Sequence, residues 1–264
     1  MDLKLKGKRA LVTGSTAGIG FAAAKRLAEE GAIVVVNGRT EQRVKSAVAE
    51  IQKQHLGASV SGVAADVSNA AGCAKLVGNV PDVDILVNNM GIFEPKPFEK
   101  IPDEDWMRFF EANVMSGVRL SRHYLPGMRE RNYGRILFIS SESAVQIPAE
   151  MIHYGMTKTA QVAVARGIAE TVAGTGITVN SLLVGPTRSE GVETFIAQLG
   201  AQSGMDAATF EREFFKSVRP TSLLKRFETV DEVANMIAFL SSELASGTNG
   251  AAVRSDGGVV RAIL

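Results

Sequence analysis

One cysteine, Cys73, is all the chain has, so no internal disulfide can form and zinc clusters built from several thiolates are excluded. Flanked by Gly72 and Ala74, it reads as a small buried residue. Histidine is nearly as scarce: His55, His123 and His153 have no partners at metal-ligand spacing, and no metal site is expected. An excess of either charge is also missing. Twenty-nine basic residues face 28 acidic ones, a formal net charge of +1, which argues against nucleic acid or an acidic membrane surface as partner. No apolar run approaches membrane-spanning length, and Met1 to Lys8 lacks the apolar core of a signal segment. A soluble, cytoplasmic protein is expected. No Pro/Ser-rich linker, repeat or low-complexity tract divides the 264 residues, and 45% hydrophobic content is ample for one large core.

What is present is a rhythm. Short β-branched runs at Arg9–Val12, Ile33–Val36, Val60–Ala64, Ile85–Val87, Arg135–Ile139, Thr178–Leu183 and Ala252–Arg254 read as buried parallel strands. Helical patterns lie between them at Gly18–Glu30, Glu41–Gln54, Ala70–Gly78, Asp103–Arg131, Tyr154–Ala173 and Val230–Ser241. Strands alternating with helices predict βαβ units: a single α/β domain with a doubly wound parallel sheet of about seven strands, covered by helices on both faces. From Arg188 to Phe227 the rhythm breaks. Phe195, Ile196, Leu199, Phe210, Phe214 and Phe215 there alternate with charges, the pattern of one or two amphipathic helices laid over something as a lid.

After the first strand comes Thr13-Gly14-Ser15-Thr16-Ala17-Gly18-Ile19-Gly20, running straight into a helix. Glycines let the backbone turn tightly against a pyrophosphate, and the helix aims its free N–H groups and positive dipole end at it. The spacing, Gly-x-x-x-Gly-x-Gly, is one residue wider than the common dinucleotide fingerprint. The second strand ends in Val36-Asn37-Gly38-Arg39-Thr40, with no acid before Glu41 to hold the ribose diol of NAD. Arg39 can grip a 2′-phosphate, with Ser15 and Thr40 as further donors, so NADP(H) is expected over NAD(H). The other use of Arg39 is to stack on adenine.

Tyr154 and Lys158 sit four residues apart in Tyr154-Gly155-Met156-Thr157-Lys158, on one face of a helix. A phenol with a pKa of about 10 is a sluggish acid or base near neutrality, and an ammonium held beside it is expected to lower that pKa.

Together with the glycine turn, these residues resemble the short-chain dehydrogenase/reductase family almost end to end. Asn88-Asn89-Met90-Gly91 is similar to the family's Asn-Asn-Ala-Gly, with Met90 for alanine. Asn113 lies mid-helix, Ser141 precedes Tyr154 by thirteen residues, Val184-Gly185-Pro186-Thr187 stands where Pro-Gly is usual, and Asp256-Gly257-Gly258 follows near the end. The resemblance implies a Rossmann-type oxidoreductase acting on a small-molecule carbonyl or alcohol. It implies Tyr154 as general acid/base, Lys158 lowering its pKa and bonding the nicotinamide ribose, and Ser141 on the substrate oxygen. Asn113 would help to hold a water relaying protons from Lys158. On the cofactor side it implies Gly14, Ser15, Thr16, Gly18, Ile19 and Gly20 at the phosphates, Asp66 and Val67 at the adenine, and Asn89 with Gly91 along the ribose. Gly185 and Thr187 would position the nicotinamide beside Tyr154 and Lys158, with Ser189 near the phosphates. It implies a homotetramer, or a homodimer, formed through long helices and the C-terminal region; the tail from Val259 to Leu264 is apolar enough to be buried there.

Two points stay open. Met90 either narrows the nicotinamide end of the pocket or packs. Glu142 either binds a polar substrate group or faces solvent. His153 is expected to point away from Tyr154's face of the helix. The expected pocket wall combines Phe93, Glu94, Ser143, Gln146, Ile147, Glu150 and Met151 with the segment from Arg188 to Phe227. Such a wall suits a 3-oxoacyl thioester, a sugar-like ketone or a hydrophobic ketone. An NAD-dependent alcohol dehydrogenase and a non-catalytic NADP(H) sensor are the alternatives.

Overall fold

The computed structural model describes residues 1–190, 192–193 and 206–263. Seven strands form one parallel sheet: β1 (Arg9–Val12), β2 (Ile33–Gly38), β3 (Val60–Ala64), β4 (Ile85–Asn88), β5 (Gly134–Ser141), β6 (Ile177–Val184) and β9 (Ala252–Ser255). Their order in space is β3-β2-β1-β4-β5-β6-β9. Alternate side chains of each strand feed opposite layers. Ala10, Val12, Val34, Val36, Val87 and Leu137 pack under α1 (Gly18–Glu29), α2 (Glu41–Gln54) and the last helix, α8 (Val230–Ser241). Leu11, Leu86, Ile136, Phe138 and Val179 pack under α3 (Ala70–Asn79), α5 (Ser116–Glu130) and α6 (Ile152–Thr171). The expected doubly wound sheet is present, with β4 at its centre and β5 and β6 buried along their whole length beside it.

Order reverses between β1 and β4, whose chains leave the sheet in opposite directions and open a crevice at their carboxyl ends. Ile19, Asn89, Ser141, Tyr154 and Lys158 line one cavity there.

Three elements depart from the sequence expectations. The helix anticipated over Asp103–Arg131 is α4 (Asp103–Phe110) and α5, joined by a π-helical turn over Glu111–Met115. Periodicity cannot reveal one inserted residue inside a continuous helical pattern, and such bulges concentrate at functional positions. Between 188 and 227 the described chain forms α7 (Ala207–Glu213), a second π turn at Phe214–Val218, and a loop. The segment is bracketed by a parallel pair of two-residue strands, β7 (Thr187–Arg188) and β8 (Glu228–Thr229), too short to be seen in the sequence. Phe195, Ile196 and Leu199 lie outside the described residues. Finally, Val259 and Val260 are already buried within the protomer, leaving Ile263, 92% exposed, as the apolar side chain of the described tail that is free for an interface.

Candidate active site

The glycine turn closes the crevice on the β1 side. Gly14 and Gly18 have positive φ (+60° and +57°), open to glycine and strained for other residues. A methyl group at Gly20 would collide with the Gly14 carbonyl and the Asn89 side-chain amide. No side chain caps α1 and its first turn carries no acid, so its leading N–H groups are left for a ligand. By contrast, Thr40 caps α2 and Asn69 caps α3. Asn89 stitches the two sides of the crevice: its amide donates to the Thr13 and Gly14 carbonyls at 2.9 and 3.1 Å. Met90 donates its N–H to Thr13 Oγ1 and packs into the core, leaving the cavity wall to other residues.

Ser15 does not fill the donor role expected of it. It is fully buried; its N–H donates to the Asn37 carbonyl (2.8 Å) and its hydroxyl to the Val12 carbonyl (2.6 Å). It shapes the turn and has no donor left for a phosphate. Arg39 stands exposed at the end of β2 with no hydrogen bond or ion pair to any described residue, and Thr40 is exposed beside it. Asn37 is buried, its amide donating to the Val63 and Ala65 carbonyls. Asp66 is half-buried after β3, where it accepts the Ser68 N–H, and Val67 is buried.

On the far side, α6 and the ends of β5 and β6 line a cavity of about 700 Å³. Ile19, Asn89, Gly91, Ser141, Tyr154, Lys158, Gly185, Thr187 and Ser189 all reach it. Thr187 Oγ1 donates to the Gly185 carbonyl at 3.0 Å, and Gly185 lies so close to Asp256 that a Cβ there would come within 2.7 Å of its backbone. Phe93, Ser143, Glu150 and Met151 are wall residues as expected, whereas Glu94, Gln146 and Ile147 are not. Glu94 is drawn outward by Lys96 and Arg108, Ile147 lies against Gly155, and Gln146 is exposed. Phe210, Phe214 and Val218 close the opposite wall, with Phe214 stacked on Phe210 and clustered with Phe215 and Phe227.

Around Tyr154 the electrostatics differ from the sequence expectation. Lys158 Nζ is 5.5 Å from the Tyr154 ring centre and donates to the Ile139 carbonyl (2.9 Å) and Gln161 Oε1 (3.2 Å). Loss of water pushes the Tyr154 hydroxyl up to about 12; hydrogen bonding to Ser141 acts the other way, Glu142 adds to the rise and Arg219 opposes it. Burial also lowers the Lys158 amine to about 8. Desolvation sets the direction of the Tyr154 shift, and the amine is anchored on Ile139 and Gln161 instead of on the phenol. Tyr154 therefore keeps its proton at neutral pH.

Asn113 sits in the π turn, fully buried. Its side chain donates to the Ile92 carbonyl (3.0 Å) and Thr157 Oγ1 (2.9 Å) and accepts the Ile92 N–H (2.7 Å). Thr157 in turn donates to the Tyr154 carbonyl. Gln161, which the sequence reading passed over, completes this network: its amide donates to the Asn113 carbonyl at 2.6 Å while its oxygen takes Lys158. The signal was there, since Gln161 lies one turn beyond Lys158 on the same face. His153 is buried against Phe109, with ring centres 4.1 Å apart, away from the cavity that Tyr154 lines, and burial lowers its pKa. Glu142 does not face solvent as one of its two readings had it; it lines the cavity. It is 3% exposed and accepts a hydrogen bond from Arg219 Nε at 2.8 Å.

Comparison with known proteins agrees with this architecture. The family model described as short chain dehydrogenase matches residues 8–200. The uncharacterized oxidoreductase YvaG of Bacillus subtilis is 49% identical over the whole of both chains. The D-beta-hydroxybutyrate dehydrogenase of Cupriavidus necator is 34% identical, over 97% of this chain and 99% of its own. The crystal structure of L-sorbose reductase from Gluconobacter frateurii, complexed with NADPH and L-sorbose, superposes with a TM-score of 0.94 at 32% identity, covering all of both chains. Glycine turn, reversed strand order, Tyr-x-x-x-Lys helix and these likenesses lead to one assignment: the chain belongs to the short-chain dehydrogenase/reductase family and is an NAD(P)-dependent oxidoreductase.

Proposed function

We propose that this enzyme reduces the carbonyl group of a medium-sized small molecule with NADPH, Tyr154 donating the proton. One observation carries the reading: Ser141, Tyr154 and Lys158, from β5 and α6, meet in a single cavity that also receives the glycine-turn side of the crevice, with Asn113 bonded behind them. The residues present fit a dinucleotide. The uncapped N-terminus of α1 and the close approach enforced at Gly20 suit a pyrophosphate, and Arg39, exposed after β2, would hold a 2′-phosphate. The nearby acid Glu41 is turned to Lys45, so no carboxylate from β2 claims the ribose diol. The sorbose reductase neighbour, crystallised with NADPH, supports the same preference.

When bound, the nicotinamide supplies the hydride. The chain supplies the rest. Tyr154, with its hydroxyl held near 12, carries a proton at neutral pH and gives it to the carbonyl oxygen as that oxygen gains charge. Ser141 holds the same oxygen, its own Oγ fixed by the Ser143 N–H at 3.1 Å. Lys158, anchored by Ile139 and Gln161, sits behind the phenol to stabilise the phenolate left after transfer. Asn113 and Thr157 hold α6 in register with the loop after β4. The segment 206–227 acts as the substrate lid of a single domain, placing Phe210 and Phe214 over the cavity. A cytoplasmic homotetramer, or a homodimer, completes the proposal by family likeness.

A panel of alkyl ketones, hydroxylated ketones and 3-oxoacyl thioesters, followed by loss of NADPH absorbance, tests the reading. At least one class is expected to turn over, with kcat/KM for NADPH at least about tenfold above NADH. A tenfold advantage for NADH overturns the cofactor assignment, and NADPH binding without turnover of any class overturns the enzymatic one.

A further inference from the structure

Glu142 follows Ser141 directly, and a carboxylate buried at that point adds negative charge where a substrate oxygen is to gain it. Its environment is closed. Oε1 accepts from Arg219 Nε at 2.8 Å and Oε2 from Ser143 Oγ at 2.6 Å. Arg219 is itself 8% exposed and donates through Nη1 to Glu150 Oε1 at 3.0 Å. It lies 77 residues further along the chain, just after the π turn whose Phe214 closes the cavity. One ion pair thus ties the segment over the cavity to the strand end carrying Ser141, and both members line the cavity with Tyr154.

We propose that Arg219 is a positioning residue of the reaction: by pairing with Glu142 it keeps that carboxylate's charge off the Tyr154 hydroxyl, so that docking of the cavity's outer wall and the readiness of the proton donor are coupled. The inference rests on Tyr154 as the acid. The charged groups lining the cavity among the described residues are Glu142, Glu150, Lys158, Glu213 and Arg219. Ser141 and Phe93 are the neutral neighbours of the phenol, Phe93 edge-on at 6.4 Å. Of the charged groups, Glu142 and Arg219 act on the hydroxyl in opposite senses: Glu142 holds the proton on and Arg219 loosens it. A buried pair that loses one member leaves the other uncompensated, whereas removing both is close to neutral.

Opposite effects from two halves of one contact are a signature that loss of shape alone does not give. The probe is the carbon-13 signal of the Tyr154 ring Cζ. The chain has three tyrosines, and Tyr154→Phe assigns the resonance by its disappearance. At pH 11, with circular dichroism confirming the fold, the wild-type group is expected to be about one-tenth phenolate. Glu142→Gln should raise that fraction severalfold, Arg219→Gln should lower it severalfold, and the double variant should return to within about twofold of wild type. Equal fractions in all four proteins overturn the inference, as do single variants shifting in the same direction or a double variant no nearer wild type than Arg219→Gln. Should Arg219→Gln fail to fold, Glu142→Gln decides alone: a rise supports the proposal and no rise overturns it. The readout needs no turnover, so it stands apart from the test of the acid itself. A Tyr154→Phe enzyme that still reduces carbonyl compounds removes the phenol from the reaction and this inference with it.

Discussion

Glu228 is 5% exposed, with one carboxylate oxygen 3.3 Å from Ser255 Oγ and the other without a hydrogen-bond partner. Burial, reinforced by Glu232 and Asp256, raises it from the ordinary value of 4.5 to about 7. A carboxyl raised in the folded state holds its proton more tightly there than in the unfolded chain. Its contribution is therefore intact below pH 4.5 and is lost as the pH rises through about 7. Glu228→Gln removes that loss. The variant is expected to match wild type in urea unfolding at pH 4 and to exceed it by about 3 kcal/mol at pH 8; equal stabilities at both pH values refute the assignment. Arg39 is the opposite case, a charge held out in water with nothing described to bind it. Arg39→Ala is expected to lower kcat/KM for NADPH by about tenfold or more while leaving NADH within about twofold, measured with one carbonyl substrate. Charged residues such as these show how far sequence goes: Arg39 was legible because its place after β2 needs only local order. Glu142, Arg219 and Glu228 were not, because their partners lie far along the chain and burial, which sets their chemistry, is a property of the folded molecule.

At the scale of elements, the strands and most helices were legible because each carries one period from end to end. The two π turns were not, since a single inserted residue leaves the apolar spacing almost unchanged. One of them aims Asn113 at Ile92 of the loop after β4, so the geometry of that candidate residue comes from a feature that the pattern conceals. Ser15 shows the reverse: local spacing offers it as a donor, yet in the fold Val12 and Asn37 consume both its N–H and its hydroxyl. α8 packs on α1 across the layer that carries the glycine turn, and it starts in a capping box in which Thr229 and Glu232 satisfy each other's backbone N–H groups. Thr229→Ala is expected to destabilise the protein by about 1 kcal/mol, lowering Tm by about 2–4 °C in a calorimetric scan. No change in Tm contradicts a supporting role for that cap.

For the whole molecule, the reversal of strand order between β1 and β4 brings the glycine turn, Asn89 and the Tyr154 helix to one crevice, although they lie far apart in the chain. The family and the class of chemistry follow from that convergence; the outer wall is lined by the least regular part of the described chain, through Phe210, Phe214 and Val218. Among the described residues no helix is long and apolar enough to cross a membrane. The proposed reduction depends on a phenol that keeps its proton until a carbonyl oxygen takes it. The most direct measurement compares wild type with Tyr154→Phe in two assays, NADPH binding by fluorescence titration and carbonyl-dependent NADPH oxidation at pH 7. Binding within about twofold of wild type, with turnover reduced by a factor of about 10² or more, is the predicted result. Turnover within tenfold of wild type contradicts it.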